Sequence, residues 1–322
     1  MTTLLITQEE GLSHLTPSGH PERPERLRAV GRALSGPDFD GLERRAAQST
    51  DLAIADLAHD PRLIDALRNL RPTEGLAQID ADTFMSPLSF EAAATAVGAA
   101  LQALDAVVLG GLDNAFCAIR PPGHHAERGR PMGFCLFNSV AIAALEAQRK
   151  HGAERVAILD FDVHHGNGTQ DIFFRNKSVF YGSSHQMPLY PGTGAMNQTG
   201  VGNIFNAPLP AGSGKLRMRE AYGAHILPAL DAFAPDFILI SAGFDAHALD
   251  PLAQLEWDAE DYTWVTGKIM DVADRHCGGR IVSLLEGGYD LDGLSQGVAA
   301  HVGMLMGAGG VVAPGNAVVS ED

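Results

Sequence analysis

Two carboxylates and two imidazoles stand close together in Asp160-Phe161-Asp162-Val163-His164-His165. Asp162 and His164 are two apart, so in an extended segment their side chains point the same way. A carboxylate oxygen and an imidazole nitrogen would then meet at one point, which is half of a metal site. Asp245, in Ser241-Ala242-Gly243-Phe244-Asp245, offers a third ligand. Three ligands leave a position open for water and substrate, the pattern of a catalytic rather than a structural metal. Two carboxylates and one imidazole suit Zn²⁺, and also Fe²⁺ or Co²⁺. Such a metal lowers the pKa of bound water and polarises a carbonyl.

Further groups suit the same chemistry. Arg120-Pro121-Pro122-Gly123-His124-His125 is a rigid turn carrying adjacent histidines, which could serve as general base or acid. Asp160 could orient one of them. Tyr289, in Glu286-Gly287-Gly288-Tyr289, could donate to a tetrahedral oxyanion. Each has a plainer reading. Asp245 alone would serve as a helix N-cap, Tyr289 as a packed aromatic with a wet tip, and Gly133-Phe134 as core. For His20, His185 and His301 a satisfied core or surface role is favoured. The paired histidines are harder to dismiss, because buried neighbouring imidazoles are costly unless partnered.

These groups need elements to hold them. Arg155 to Leu159 is an apolar run of strand length, suited to a buried parallel strand, and Asp171-Ile172-Phe173-Phe174 reads as the opening of a helix. Leu4-Leu5-Ile6 reads as a first edge strand. Further strands are expected at 114–119, 179–181, 237–240 and 281–285. Helices are expected at 25–34, 60–70, 89–109, 139–150, 215–233, 260–275 and 291–306. Alternating strands and helices argue for an α/β fold: three α/β/α layers around a central parallel sheet. His124/His125, Asp162/His164, Ser183, Asp245 and Tyr289 each follow a different expected strand. In open parallel sheets ligands bind outside the carboxyl ends of the strands, so five such sets point to one site.

With no repeat or linker, the 322 residues read as one domain, with a flexible tail from about 307. A hydrophobic content of 45% permits a sizeable core. A net charge of −16 repels nucleic acid. Cys117, Cys135 and Cys277 are scattered, which argues against a disulfide framework or a cysteine zinc site. The start lacks a signal-peptide pattern, and no apolar run approaches a membrane span. A reducing cytoplasmic compartment is expected.

Taken together, the motifs resemble the histone deacetylase family of the arginase/deacetylase superfamily. The matching pieces are Arg120-Pro-Pro-Gly-His-His125, Gly133-Phe134-Cys135, Asp160-x-Asp-x-His-His-Gly166, Pro191-Gly-Thr-Gly194, Ser241-Ala-Gly-Phe-Asp245 and Glu286-Gly-Gly-Tyr289, in the family's order. The resemblance implies one catalytic Zn²⁺ on Asp162, His164 and Asp245. It implies His125 as general base and acid, His124 as its electrostatic assistant and Tyr289 as oxyanion donor. Phe134, with Gly133 before it, and Tyr190 match the aromatic walls of an acyl-lysine channel. Similar proteins bind K⁺, which here would use Asp160, Asp162, His164, Ser183 and Ser184. A second K⁺ would use backbone oxygens near Phe173, Asn176 and Val179. Asn167 stands where class I members carry aspartate and resembles class II, partnering His125. Tyr289 stands where weakly active class IIa enzymes have histidine.

The resemblance thus implies an amidohydrolase acting on an acetylated lysine peptide. A related reading is an acetylpolyamine amidohydrolase with the same metal site. Leu252 occupies a rim position where a polyamine-selective relative has glutamate, which suits acyl-lysine, although Glu9, Glu10 or Glu22 in the early loop could select cations. Arginase-like chemistry is disfavoured by the histidine pair. A silent acyl-lysine reader is disfavoured by the intact His124, His125 and Tyr289. No nucleic acid or membrane partner is implied, and a homo-oligomer is left open.

Overall fold

The computed structural model describes residues 1–307; the rest of the tail expected from about residue 307 lies outside the described residues. The strands are β1 Thr3–Thr7, β2 Glu43–Ala46, β3 Ala77–Gln78, β4 Phe84–Met85, β5 Asn114–Ala118, β6 Val156–Asp160, β7 Val179–Gln186, β8 Ile204–Leu209, β9 Phe237–Ala242 and β10 Ile281–Leu285. Eight of them form one sheet in the order β2-β1-β5-β10-β9-β6-β7-β8, every neighbouring pair parallel. Strands β3 and β4 form a separate antiparallel pair.

The helices are α1 Glu25–Ala33, α2 Pro61–Leu70, α3 Ser89–Leu109, α4 Ser139–His151, α5 Asn167–Phe173, α6 Lys215–Ala221, α7 Leu227–Phe233, α8 Ala259–His276 and α9 Leu291–Leu305. Helices α3 and α4 pack together, α3 over β1, β5 and β10 and α4 over β6 and β9. Helix α9 contacts both α1 and α8 and also β5, while α7 joins α8 to β7. This is the expected three-layer arrangement, with the parallel sheet buried between helices.

Local chemistry explains the boundaries. Asp60 caps α2, with Pro61 in the first turn, where its missing N–H costs nothing. Asn138 caps α4 through the Ala141 N–H, and Gly152 ends it at φ +69°. Asp258 and Asp261 form a reciprocal capping box on α8.

Several expectations need correction. Strand β1 is internal, because β2 pairs outside it; β2 reads Glu-Arg-Arg-Ala and lacks the apolar run of a buried strand. Strand β8, the opposite edge, carries Asn206 and Pro208. Charged residues and proline are what edge strands carry: charge hides β2, and Asn206 and Pro208 break the apolar run of β8. Asp171 to Phe173 closes α5 rather than opening a helix. The 215–233 segment is interrupted by a π-turn at Tyr222–Ile226. Helix α3 is long and apolar enough to cross a membrane by length and composition, contrary to expectation. In this structure most of it is buried, among its neighbours α4, β5 and β10.

The sheet order brings β5, β10, β9, β6 and β7 side by side. Their carboxyl ends lead to His124/His125, Tyr289, Asp245 and Asp162/His164, while Ser183 lies within β7 rather than after it. The chain passes from β5 to β6 across the space that β10 and β9 later fill, and such switch points open a crevice.

Candidate active site and metal centre

Asp162, His164 and Asp245 come together as a buried triad whose ligand atoms all lie within 4.8 Å of one another. His164 Nδ1 is 3.2 Å from Asp162 Oδ1 and 3.1 Å from Asp245 Oδ2. Strand β6 ends at Asp160, so the alternation of an extended segment does not align Asp162 with His164. A turn does, closed by the His164 N–H donating to Asp162 Oδ1 at 2.9 Å. Backbone N–H groups fix the carboxylates: Gly287 donates to Asp162 Oδ2 at 2.8 Å and Val163 to Asp245 Oδ1 at 2.9 Å. A Cβ at Gly287 or Gly243 would strike these carboxylates, so glycine there permits the close approach. The next helix is capped by Asp258, which removes the N-cap reading of Asp245.

Electrostatically the triad calls for a cation. Burial, with the charge of Asp162, pushes Asp245 up to about 7. Burial disfavours charge on His164, but the Asp162 and Asp245 carboxylates raise it to about 10. Two acids and an imidazole sharing a proton in a dry pocket, with an open side, fit Zn²⁺.

The paired histidines lie beside the triad, ring centroids 4.1 Å apart. Asp160 Oδ2 accepts from His124 Nδ1 at 3.1 Å and from the Tyr181 hydroxyl at 2.9 Å. Burial opposes charge on His124, but Asp162, Asp160 and Glu286 outweigh it and hold its pKa well above the ordinary value. For His125, burial and the neighbouring His124 and His164 push it well below. His125 Nδ1 donates to Asn167 Oδ1 at 2.8 Å, and Asn167 Nδ2 donates to Glu127 Oε1 at 2.7 Å. A carboxylate only accepts, so Glu127 sets the Asn167 amide and thereby the His125 tautomer, leaving Nε2 with a free lone pair.

A cavity of about 260 Å³ leads to these groups, lined by His125, Gly133, Phe134, His164, Tyr190, Leu252 and Tyr289, with Leu189 and Asp82. Phe134 sits at φ +68°, a conformation side chains rarely adopt, with its N–H on Thr83 Oγ1 at 3.0 Å and its ring against His20. Burial, with the charge of Asp245, holds the Tyr289 phenol well above its ordinary pKa, so it remains a donor. Asp250 accepts from the Tyr289 N–H at 2.7 Å and the Leu252 N–H at 3.0 Å, tying rim to floor.

Residues 20–305 match the family model described as the histone deacetylase domain. The chain belongs to the histone deacetylase family. It is 41% identical over 301 residues to histone deacetylase 10, chloroplastic, of Oryza sativa, covering 87% of this chain and 68% of that one. It is 39% identical to the histone deacetylase-like amidohydrolase of Pseudomonas aeruginosa, covering 84% of this chain and 73% of that one. The crystal structure of the HDA15 HD domain superposes with a TM-score of 0.90 at 36% identity, covering 95% of this chain and 88% of that one. The chain is thus a deacetylase-family hydrolase with that family's α/β fold.

Within this deacetylase fold, the residues expected to hold potassium divide into two groups. Asp160 and Ser183 are register partners across β6 and β7. His185 donates Nε2–H to the Gly194 carbonyl at 2.9 Å, so its Nδ1 accepts the Ser183 proton at 2.9 Å and leaves the Ser183 oxygen lone pairs available. The carbonyls of Phe173, Asn176 and Val179 also converge, but on the side-chain amide of Asn203.

Glu22 is not a cation selector at the channel mouth: it is fully buried and ion-paired to Arg120 and Arg26. Glu9 and Glu10 are exposed and do not line the cavity, whereas Asp82 does. Arg26 donates to the Gly288 carbonyl at 2.6 Å, and its guanidinium lies 4.9 Å from the Tyr289 ring centre. Glu286 accepts from the Gly123 and His124 N–H groups, and burial pushes it up to about 7. Asp82 and Arg26 carry no sequence signal tying them to the site, because each reaches it from a distant segment. Glu127, two residues after His125, and Asp250, five after Asp245, stand beside site motifs, but their contacts with Asn167 and Tyr289 are long-range.

Proposed function

We propose that this chain is a zinc-dependent hydrolase that removes acetyl groups from the side-chain amide of acyl-lysine. The observation that carries the reading is one apolar-walled cavity lined by His164 of the metal triad, by His125 and by Tyr289. Zinc bound by Asp162, His164 and Asp245 would supply Lewis acidity toward water and the acyl carbonyl. The walls, Phe134 and Tyr190, suit the methylene stem of lysine. His125, its Nδ1 proton committed to Asn167, takes a proton at Nε2 from the attacking water and returns it to the leaving amine. His124, braced by Asp160, favours positive charge beside the reaction. Tyr289 donates to the oxygen that becomes negative. One potassium ion belongs beside the zinc site, with Asp160, Asp162, His164, Ser183 and Ser184 as its ligands.

Acetylpolyamine hydrolysis is the second reading, favoured by the Asp82 carboxylate in the cavity wall, which suits a further ammonium. Leu252, uncharged on the same wall, weighs toward lysine. Turnover of acetyl-lysine peptides and of acetylated spermidine and putrescine, measured side by side on enzyme reconstituted with Zn²⁺, decides between them. Higher kcat/KM for the peptides is expected; a preference for the polyamines reverses the ranking, and no Zn²⁺-dependent acetate release from either overturns the activity.

A further inference from the structure

The carbonyl oxygens of Phe173, Asn176 and Val179 are the group that the family resemblance assigns to a second potassium ion. Rings of backbone carbonyls bind K⁺ by replacing its water shell. Here the side-chain nitrogen of Asn203 stands among them, 3.0 Å from Phe173 O, 3.1 Å from Asn176 O and 2.8 Å from Val179 O. The amide orientation follows from its partners. Asn203 Oδ1 accepts from the Val201 N–H at 3.2 Å. Turned over, the amide would aim its oxygen at three carbonyl oxygens and its NH₂ at an N–H, so every contact would repel.

The residue is also held firmly. Asn203 is 4% exposed, and its carbonyl accepts from the Tyr181 N–H at 2.9 Å. Phe173 O and Asn176 O each accept a turn bond as well, from Asn176 N at 2.9 Å and Val179 N at 3.2 Å. A carbonyl oxygen has two lone pairs, so each can still accept; the Asn203 amide has two N–H donors for the three carbonyls, so one N–H is shared between two of them. An ion and a nitrogen cannot occupy one point.

We propose that the Asn203 amide replaces the second potassium ion, so that of the two potassium positions only the one beside Ser183 is filled. The turn between α5 and β7 is therefore closed by a tethered neutral donor and does not loosen when salt is removed. This rests on the potassium reading above and is independent of which acetylated substrate is hydrolysed.

The test is cation occupancy in the zinc-loaded protein. Crystals of the unaltered chain soaked in Rb⁺ should show anomalous scattering beside Ser183 and none among the carbonyls of Phe173, Asn176 and Val179. A peak there overturns the proposal, whatever the variant does. In Asn203→Ala the carbonyls lose their donor. Its melting temperature in choline chloride should fall, and K⁺ at equal ionic strength should raise it by about 2 °C or more beyond any rise in the unaltered chain. Rb⁺ should then appear at the vacated point. A variant whose melting responds to K⁺ no more than the unaltered chain, with no Rb⁺ peak, shows that the amide does not stand in for an ion.

Discussion

The side-chain oxygen of Asn167 lies 2.8 Å from Nδ1 of His125. That single contact decides which imidazole nitrogen keeps a free lone pair, the nitrogen proposed above to take the proton, and Glu127 decides which way the Asn167 amide faces. Glu127→Ala leaves the amide free to turn and should lower kcat by about 10-fold, the scale of losing such a support. Glu127→Gln still offers an oxygen to Asn167 Nδ2 and should restore most of the activity. Comparing kcat of the two variants, with zinc content matched, separates orientation from charge: equal losses would mean that Glu127 acts through its charge.

Asn167 also sets the charge beside His125, the proposed base. An aspartate would favour the protonated imidazole, whereas asparagine accepts the same hydrogen bond without a charge. Asn167→Asp should therefore raise the pKa of His125, so that the base is lost at higher pH. The acidic limb of the kcat/KM profile is expected to move up by roughly one pH unit. A limb that stays in place, with zinc retained, would show that another group governs it.

The metal triad gives a third test. Asp245→Asn replaces an anionic ligand with a neutral one while preserving shape. Zinc retained after dialysis should fall well below one equivalent, and turnover should fall with it. Full occupancy with unchanged turnover would remove Asp245 from the metal site.

Much of this site is legible in the sequence because its groups sit in short local motifs. His124/His125, Asp162/His164, Asp245 and Tyr289 each lie within a few residues of a buried apolar strand, and such strands are easy to see. The reason first offered for pairing Asp162 with His164, strand alternation, fails, because a turn built on their own hydrogen bond aligns them. What escapes the sequence is contact between distant segments. Glu127 reaches Asn167 across 40 residues, and Arg26 reaches the Gly288 carbonyl across 262. Glu22, read from its place in a polar loop, instead lies buried between two arginines. Edge strand β2 escapes because its exposed edge carries charge rather than a hydrophobic run, and β8 because Asn206 and Pro208 interrupt its apolar residues.

Tyr289 is held at the cavity by Asp250 on its N–H and by Arg26 over its ring. Tyr289→Phe keeps that packing and removes one hydroxyl. The variant should retain fold and zinc while kcat falls by about 10²-fold or more, the scale of one oxyanion donor. A change in KM with kcat intact would mean that the ring only shapes the channel.

His301 makes the fold sensitive to acid, apart from the catalytic groups. It is fully buried, and both its nitrogens are engaged. The Thr266 hydroxyl donates to the Tyr262 carbonyl at 2.6 Å, so it accepts from His301 Nδ1 at 2.7 Å. The Ser283 hydroxyl then donates to His301 Nε2 at 2.8 Å. Burial pushes His301 down to about 3, and His59, likewise buried and neutral, down to about 4. Both values are depressed below an unfolded value near 6.5, so the unfolded chain binds protons that the native chain refuses. The stability that these two neutral imidazoles contribute is therefore fully present above about pH 6.5 and is lost as pH falls through about 4 for His59 and about 3 for His301. Near pH 5 each group should contribute a slope of roughly 1.4 kcal/mol per pH unit. His301→Gln fills a similar volume without a titrating nitrogen. Its overall stability will differ, but between pH 6 and 4 the slope of unfolding free energy against pH should be shallower by about one proton's worth. Urea unfolding of both proteins at matched zinc content measures that slope. Parallel lines for the two would mean that His301 is protonated equally in the native and unfolded chains.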